Sequence, residues 1–174
     1  FLPEILEACA ALAGMVADAV REERFPLVLG GDHSIGLGTL AGLAAAAGRT
    51  GGVIWVDAHG DLNTPATSPT GNVHGMPVAA ALGLAGPAFA HPGLVLPAVE
   101  LDRVVLLGVR SLDPDEQALV RARGIHVITM SQIDRTGIER AVDEALERVS
   151  GPGFVHLSLD LDALDPDVAP GVGT

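Results

Sequence analysis

The chain has 174 residues, a formal net charge of −12, 48% hydrophobic residues and a single cysteine. This length suits one domain, and the apolar content supports a packed core, which excludes a disordered chain. The negative charge argues against nucleic-acid and anionic-membrane partners, because no basic stripe is available to replace counterions. No apolar run reaches the roughly 18 to 20 residues that span a bilayer.

Apolar spacing predicts helices and strands that alternate along the chain. Helices are predicted over residues 4–22, 34–48, about 77–84, 115–124 and 131–149, with Ser34 as an N-cap and Gly48 as a stop for the second. Strands are predicted over residues 26–31, 53–56, 103–110, 125–130 and 153–162. This alternation predicts an α/β fold with right-handed crossovers and a mostly parallel sheet, as a single domain over residues 1–174.

The only cysteine, Cys9, lies in the apolar pattern of the first helix. A core position is therefore favoured over a reactive thiol. A single cysteine also fits a reducing compartment, and we predict a cytoplasmic location. The first residue, Phe1, is not a Met start and no signal peptide follows it, so we expect the chain to begin partway into a longer protein.

Four polar clusters follow predicted strands: residues 30–33, 57–61, 110–113 and 160–162. In open α/β sheets, ligands bind at the carboxyl ends of the strands. Four strand ends directed at one edge would gather these side chains into a single site. The sequence therefore predicts one functional site at this edge of the sheet.

The stretch WVDAHGDLNTP places Asp57, His59 and Asp61 at every second residue after an apolar run. In extended chain such residues point to the same side, and Asp160 and Asp162 repeat the spacing. Together with His33, they make four carboxylates and two imidazoles. Carboxylates held this close would repel each other unless divalent cations compensated them, and a predominance of oxygen ligands favours manganese over zinc. Any one of these Asp residues, taken alone, is equally compatible with a helix cap or a turn.

Three stretches, GGDHSIGLGTL, VDAHGDLNTPATSPTGNVHG and SLDLDALDPDVAPGVGT, resemble the ureohydrolase family and most closely its arginase branch. The resemblance implies a three-layer α/β/α arginase-like fold and two Mn²⁺ per subunit. It implies that His33 and Asp61 bind one ion, that His59 and Asp162 bind the other, and that Asp57 and Asp160 bridge both. A metal-bridging hydroxide would attack the guanidinium carbon of the substrate. By the same resemblance, His74 acts in proton transfer.

The resemblance also implies which residues hold the far end of an amino-acid substrate. Asn63 and Thr70 lie in the loop that contacts the α-carboxylate in arginases, and the hydroxyl of Ser68 lies between them in sequence. Asp113 matches the aspartate that receives the α-ammonium group, with Glu116 nearby. Two positions depart from the usual pattern: Thr70 replaces a serine and Ser111 replaces an aspartate. Independently of the resemblance, Asp113-Pro114 also has the pattern of an N-cap followed by N1, and both roles can coexist.

These features predict a manganese-dependent arginase that hydrolyses L-arginine to L-ornithine and urea. The alternatives are agmatinase or another ureohydrolase, such as guanidinobutyrase or formimidoylglutamase, and a non-catalytic metal-binding protein of the same fold. The family implies a homotrimer or homohexamer. Compared with the family pattern, the chain is expected to be truncated at both ends, which predicts that the fragment alone is inactive and has unpaired edge strands.

Overall fold

A computed structural model describes residues 1–171, so the last three residues of the third family-like stretch lie outside the described residues. The helices are α1 Leu2–Arg21, α2 Ile35–Ala47, α3 Pro77–Ala81, α4 Pro114–Arg123, α5 Met130–Thr136 and α6 Ile138–Val149. The strands are β1 Gly51–Val56, β2 Val99–Val109, β3 His126–Thr129 and β4 Val155–Leu159. The chain divides into two compact units.

The first unit comprises Phe1–Gly51, Asp61–Glu100 and Gly151–Phe154. The second comprises Gly52–Gly60, Leu101–Ser150 and the residues from Val155 onward.

The second unit is built on a four-stranded sheet with the order β3-β2-β1-β4. β1 pairs with β4 in parallel, and β2 pairs with β3 in parallel, which confirms the predicted parallel sheet. One face of the sheet packs against α6 in a single apolar cluster. The buried members of that cluster are Ile54, Val105, Leu107, Ile128, Ala141, Ala145 and Val149. The sheet therefore holds the carboxyl ends of β1, β2 and β4 in fixed positions.

β4 forms one end of the described sheet, and its apolar side chains are only partly covered. Val155, Leu157 and Leu159 are 46%, 63% and 58% exposed. Leu157 is the register partner of Ile54, which belongs to the cluster under α6. Among residues 1–171, the apolar face thus continues past the helix that covers it, and β4 is an edge strand of the described sheet.

The first unit is organised by the packing of α1 on α2. α1 directs an apolar stripe inward, with Leu6, Cys9, Ala13, Val16 and Ala17 buried. Two glycines of α2 allow the close approach, because a Cβ at Gly38 would lie 2.6 Å from the Cys9 carbonyl oxygen and one at Gly42 would lie 2.5 Å from that of Ala13. The predicted core position of Cys9 is confirmed. Across the described residues, no helix combines the length and apolar character required to cross a membrane.

The predicted strand over residues 26–31 is wrong: this segment has no regular structure, and Phe25, Leu27 and Leu29 are 90%, 77% and 85% exposed. A strand requires a ladder of hydrogen bonds to a neighbour, and the four described strands pair only among themselves. The apolar spacing of the segment alone could not supply that ladder.

Two helix predictions also need correction. The single helix predicted over residues 131–149 is interrupted at Gly137, whose φ of 86° and ψ of 151° are not helical. The helix predicted over about 77–84 ends at Ala81, two residues before Gly83 with φ 74°. Glycine adopts positive φ without the steric cost of a Cβ, which explains both interruptions.

The close contact between α1 and α2 makes Gly42 intolerant of a side chain. Gly42→Ala should lower the free energy of unfolding by about 1–3 kcal/mol, because the new methyl group overpacks against Ala13 and Val16. Gly14→Ala in α1 is the matched control. A Cβ on Gly14 would have no atom within 4 Å, so helix propensity should raise the free energy of unfolding by about 0.5–1 kcal/mol. Thermal and urea unfolding measure both, and an equal response of the two variants would contradict the packing account.

Candidate metal centre

The carboxyl ends of β1 and β4 each carry an aspartate that folds the chain locally. Asp57 Oδ1 accepts the His59 backbone N–H at 2.7 Å, and Asp160 Oδ1 accepts the Asp162 backbone N–H at 2.9 Å. Both are Asx turns, in which a side chain bonds the backbone two residues on. The predicted grouping by strand pleat is therefore wrong, because the chain turns after Val56 and after Leu159. The spacing of two residues arises from the Asx turn.

The two turns bring Asp57, His59 and Asp162 together in the second unit. His59 Nδ1 lies 3.3 Å from Asp57 Oδ1 and 3.0 Å from Asp162 Oδ2. One ligand atom from each of these residues lies within 4.8 Å of the others, a separation that suits a single cation. Asp57 also has an oxygen within 4.8 Å of one from Asp160. Asp57 is thus positioned near every other predicted ligand of the second unit.

The first turn is anchored to the sheet and to the second turn by backbone hydrogen bonds. The Asp57 N–H donates to the Leu107 carbonyl at 3.0 Å, and the Asp160 N–H donates to the Val56 carbonyl at 2.9 Å. The Ala58 N–H donates to Asp162 Oδ1 at 3.2 Å. These bonds fix the position of both turns relative to the sheet and to each other.

The close approach of the three carboxylates affects the pKa of Asp162. The pKa of Asp162 is raised above its ordinary value, first by burial and then by the negative charge of Asp57, with a further contribution from Asp160. Hydrogen bonding to Ala58 and the proximity of His59 act in the opposite direction. A divalent cation would remove this repulsion, and the mixture of carboxylate oxygens and an imidazole nitrogen fits such an ion.

The remaining two predicted ligands meet in the first unit. His33 Nδ1 lies 3.2 Å from Asp61 Oδ2, and both side chains are more than nine-tenths buried. Asp61 has a φ of 49°, and its carbonyl accepts the N–H groups of Val78 and Ala79 at the start of α3. The left-handed backbone at Asp61 thus turns its chain toward α3 while its carboxylate meets His33.

Predicted residues of the substrate loop lie in the same first unit. Asn63 is buried, and its Oδ1 accepts the hydroxyl of Thr67 at 3.0 Å. Ser68 Oγ accepts the Gly71 N–H at 2.9 Å, and Thr70 Oγ1 accepts the Asn72 N–H at 3.2 Å. These bonds shape the segment over residues 63–72, which has no helix or strand.

The predicted proton-transfer residue, His74, lies in a short 3₁₀ helix, Val73–Gly75, and is exposed. It lies close enough to Asp32 to affect the ionisation of that carboxyl group. Partial burial opposes ionisation of Asp32, but hydrogen bonds from Ser34 and the nearby His74 and His33 outweigh it, so the pKa of Asp32 is lowered. The exposed imidazole of His74 therefore lies near an ionised carboxylate.

Asp113 and Glu116 lie in the second unit, at the start of α4. Asp113 is the N-cap and Pro114 follows in the first turn, as the helix-start pattern predicts. The Asp113 N–H donates to Glu116 Oε2 at 2.9 Å, and Glu116 is buried. A Cβ on Gly60 would lie 3.1 Å from Glu116 Oε1, so the cap packs directly against the segment that carries His59.

Sequence reasoning missed two polar partners of the predicted ligands. The Trp55 indole N–H donates to Asp57 Oδ2 at 3.1 Å, and Trp55 is fully buried. The Arg110 guanidinium donates to backbone carbonyls of residues 162–164. Trp55 lies in an apolar run of the sequence, but its indole N–H is a hydrogen-bond donor and could have indicated a polar partner. For Arg110, the signal was its place in a predicted polar cluster.

A parallel sheet with carboxylates and an imidazole at its carboxyl edge defines an α/β protein with a candidate metal centre. The sequence model described as the Arginase family matches residues 2–174. An arginase from Bacillus caldovelox is 53% identical over 177 residues, which cover 99% of this chain and 58% of that protein. An arginase from Brevibacillus brevis is 53% identical over 175 residues, covering 100% of this chain and 58% of that protein.

The same relationship holds for solved structures. The crystal structure of arginase from Bacillus cereus matches with a TM-score of 0.92 at 48% identity, covering 99% of this chain and 60% of that one. The chain belongs to the arginase family and has its fold, which confirms the resemblance in the sequence. It spans about 58% of the length of the curated relatives described above.

The raised pKa of Asp162 predicts a stability change whose sign depends on bound metal. Because the folded state holds this proton more tightly than the unfolded state, stability falls as pH rises from the ordinary aspartate range through the raised pKa. At pH 7 the metal-free Asp162→Asn variant should therefore melt at a higher temperature than the unchanged protein. With Mn²⁺ present, the order should reverse, because the variant lacks one of the predicted charged ligands and gains less from binding.

Thermal unfolding of metal-free and Mn²⁺-loaded protein at pH 5 and pH 7 tests this expectation. Asp143→Asn, at an exposed position of α6 in the same unit, is the matched control and should show no reversal. A metal-free Asp162→Asn variant that melts below the unchanged protein at pH 7 would rule out net repulsion at this site.

Proposed function

We propose that the protein containing this chain is an arginase, which hydrolyses L-arginine to L-ornithine and urea. The observation that carries the proposal is the grouping of Asp57, His59 and Asp162 at the carboxyl edge of the sheet, in a chain 53% identical to an arginase. Hydrolysis of a guanidinium group at neutral pH needs an activated water, and a carboxylate-rich metal centre is one means of providing it.

The proposed cofactor is two Mn²⁺ per subunit. We assign His33 and Asp61 to one ion, His59 and Asp162 to the other, and Asp57 and Asp160 to both. Support comes from the short His33–Asp61 and His59–Asp162 distances and from the predominance of hard oxygen donors. When bound, the pair of cations lowers the pKa of water so that a nucleophile is available at neutral pH.

The chain's own residues then orient the substrate and move its protons. Asp113 is proposed to receive the α-ammonium group, with Glu116 bonding the Asp113 N–H and keeping the cap in place. The proposed α-carboxylate contacts are Asn63, Ser68 and Thr70, whose loop is held by its internal hydrogen bonds. His74 is proposed to deliver a proton to the departing amine, a role that suits an exposed imidazole.

Agmatine lacks both α-substituents, so the second candidate function is agmatine hydrolysis by the same metal centre. In that case Asp113 would serve α4 only as its N-cap, a role supported by its position directly before Pro114. The two functions differ in what Asp113 does for the substrate and agree on the metal ligands. A cytoplasmic location and a trimeric or hexameric assembly remain predictions from the sequence and the family resemblance.

Comparison of L-arginine with agmatine tests the proposal directly. The full-length gene product, loaded with Mn²⁺, should prefer L-arginine by 100-fold or more in kcat/KM, about 2.7 kcal/mol of differential transition-state binding. Asp113→Asn should lower kcat/KM for L-arginine at least about 10-fold, because the amide loses the charge that pairs with the α-ammonium group. It should leave agmatine turnover within about twofold, since asparagine remains a good N-cap.

Asp115→Asn is the matched control, because Asp115 occupies the first turn of the same helix and is exposed. It should leave both substrates unchanged. A preference for agmatine would favour the second candidate function. An Asp113→Asn variant that loses both activities equally would reject the assignment of Asp113 to the α-ammonium group.

Replacement of His74 separates proton transfer from metal binding. His74→Asn should lower kcat for L-arginine by about 10²- to 10⁴-fold, the usual contribution of a positioned acid or base. Its Mn²⁺ affinity should stay within about twofold, because His74 is not among the proposed ligands. His126→Asn removes a histidine that pairs with Glu144 at 2.7 Å in the second unit, and it should keep full activity. A His74→Asn enzyme with unchanged kcat over pH 6 to 9 would refute the assignment.

A further inference from the structure

Arg110 links the carboxyl end of β2 to the turn that carries two proposed metal ligands. It directly follows Val109, the last residue of β2, and its backbone N–H donates to the Ala58 carbonyl at 2.9 Å. The Ser111 N–H donates to the same carbonyl at 3.0 Å. The backbone of Arg110 is therefore attached to the segment between Asp57 and His59.

The side chain of Arg110 reaches a different segment of the second unit. Its Nη2 donates to the Asp162 carbonyl and, at 3.4 Å, to that of Leu164, while Nη1 donates to the Ala163 carbonyl at 3.2 Å. These three carbonyls lie at the end of the 3₁₀ helix Leu161–Ala163, where backbone oxygens have no partner within the helix. The planar guanidinium can bond several oxygens at once because its donors are held in a fixed fork.

Asp162 is held from both sides by these contacts. Its side chain accepts the Ala58 N–H and lies 3.0 Å from His59, while its own carbonyl accepts from Arg110. The Asp160 N–H fixes the beginning of the turn by donating to the Val56 carbonyl. Arg110 fixes the end of the same turn. All of its contacts in this turn are with backbone oxygens, so the guanidinium orients the turn and does not pair with a ligand carboxylate.

We propose that Arg110 is a positioning residue for divalent-cation binding, which acts by fixing the turn that carries Asp160 and Asp162. This inference rests on the proposed function for the identity of the ion and goes beyond the proposed ligand set. Groups that orient metal ligands typically change metal affinity by about 10- to 100-fold when they are removed. Loss of the guanidinium fork should therefore weaken Mn²⁺ binding through Asp162.

The test measures Mn²⁺ binding to the metal-free full-length gene product by isothermal titration calorimetry. Arg110→Met keeps the length of the side chain without its donors, and Arg110→Lys keeps the charge without the fork. Arg110→Met should raise the Mn²⁺ Kd by about 10- to 100-fold, and Arg110→Lys should recover only part of the lost affinity. Saturating Mn²⁺ should restore kcat for L-arginine in both variants with little change in KM.

Arg148→Met is the matched control, because Arg148 Nε also donates to a backbone carbonyl of the second unit, that of Asp102 at 3.0 Å. It should leave the Mn²⁺ Kd within about twofold even if it lowers the melting temperature. A double-mutant cycle with Asp162→Asn tests whether Arg110 acts through Asp162. Arg110→Met should have little further effect on the Mn²⁺ Kd once the Asp162 charge is absent. Additive losses in Mn²⁺ affinity would reject action through Asp162.

An unchanged Mn²⁺ Kd in folded Arg110→Met would overturn the inference. If Arg110→Met fails to fold, Arg110→Lys decides, and a Kd equal to that of the unchanged protein then overturns the inference. Failure of both variants to fold, with Arg148→Met folded, would show a structural role and overturn it as well. Failure of the proposed function gives a different result: the unchanged protein would bind Mn²⁺ and respond to Arg110 substitution, yet would not hydrolyse L-arginine.

Discussion

Mutual repulsion among Asp57, Asp160 and Asp162 is the constraint on which the rest of the site depends. Three carboxylates at the ends of two adjacent parallel strands would separate if the chain were free to move. The sheet prevents this, because backbone bonds attach both Asx turns to neighbouring strands. Donor groups then fix the orientation of each carboxylate. The scaffold therefore holds three carboxylates close together at one edge of the sheet.

Much of the site could be predicted from the sequence, although the physical cause of the two-residue spacing differs from the predicted one. The prediction that polar clusters at strand ends meet at one edge included Asp57, His59 and Asp162, which the structure brings together. The expected cause was strand pleat, whereas the structure uses Asx turns that begin where the strands end. Local side-chain-to-backbone bonds of this kind depend on the aspartates at positions 57 and 160, so the sequence could have predicted them. The long-range donor Arg110 was less accessible, because its acceptors lie more than 50 residues away.

The fold was predictable where the signal was local and less so where it depended on a distant partner. α1 and α2 followed their apolar spacing, and Gly48 ended α2 in the left-handed conformation as expected. Residues 26–31 have the composition of a strand, but strand formation needs a paired neighbour that composition does not supply. Gly137 could have been recognised as an interruption, since an isolated glycine weakens a helical pattern.

The hydrogen bond from Trp55 to Asp57 links tryptophan fluorescence to the site. Indole emission responds to charge beside the ring, and this indole donates directly to a carboxylate at the centre of the proposed ligand set. Trp55 is the only tryptophan among the 174 residues and is shielded from solvent, so its emission comes from a single environment. A cation drawn to Asp57 would alter the electric field at that ring. The fold thus places its intrinsic fluorophore in direct contact with the proposed ligand cluster.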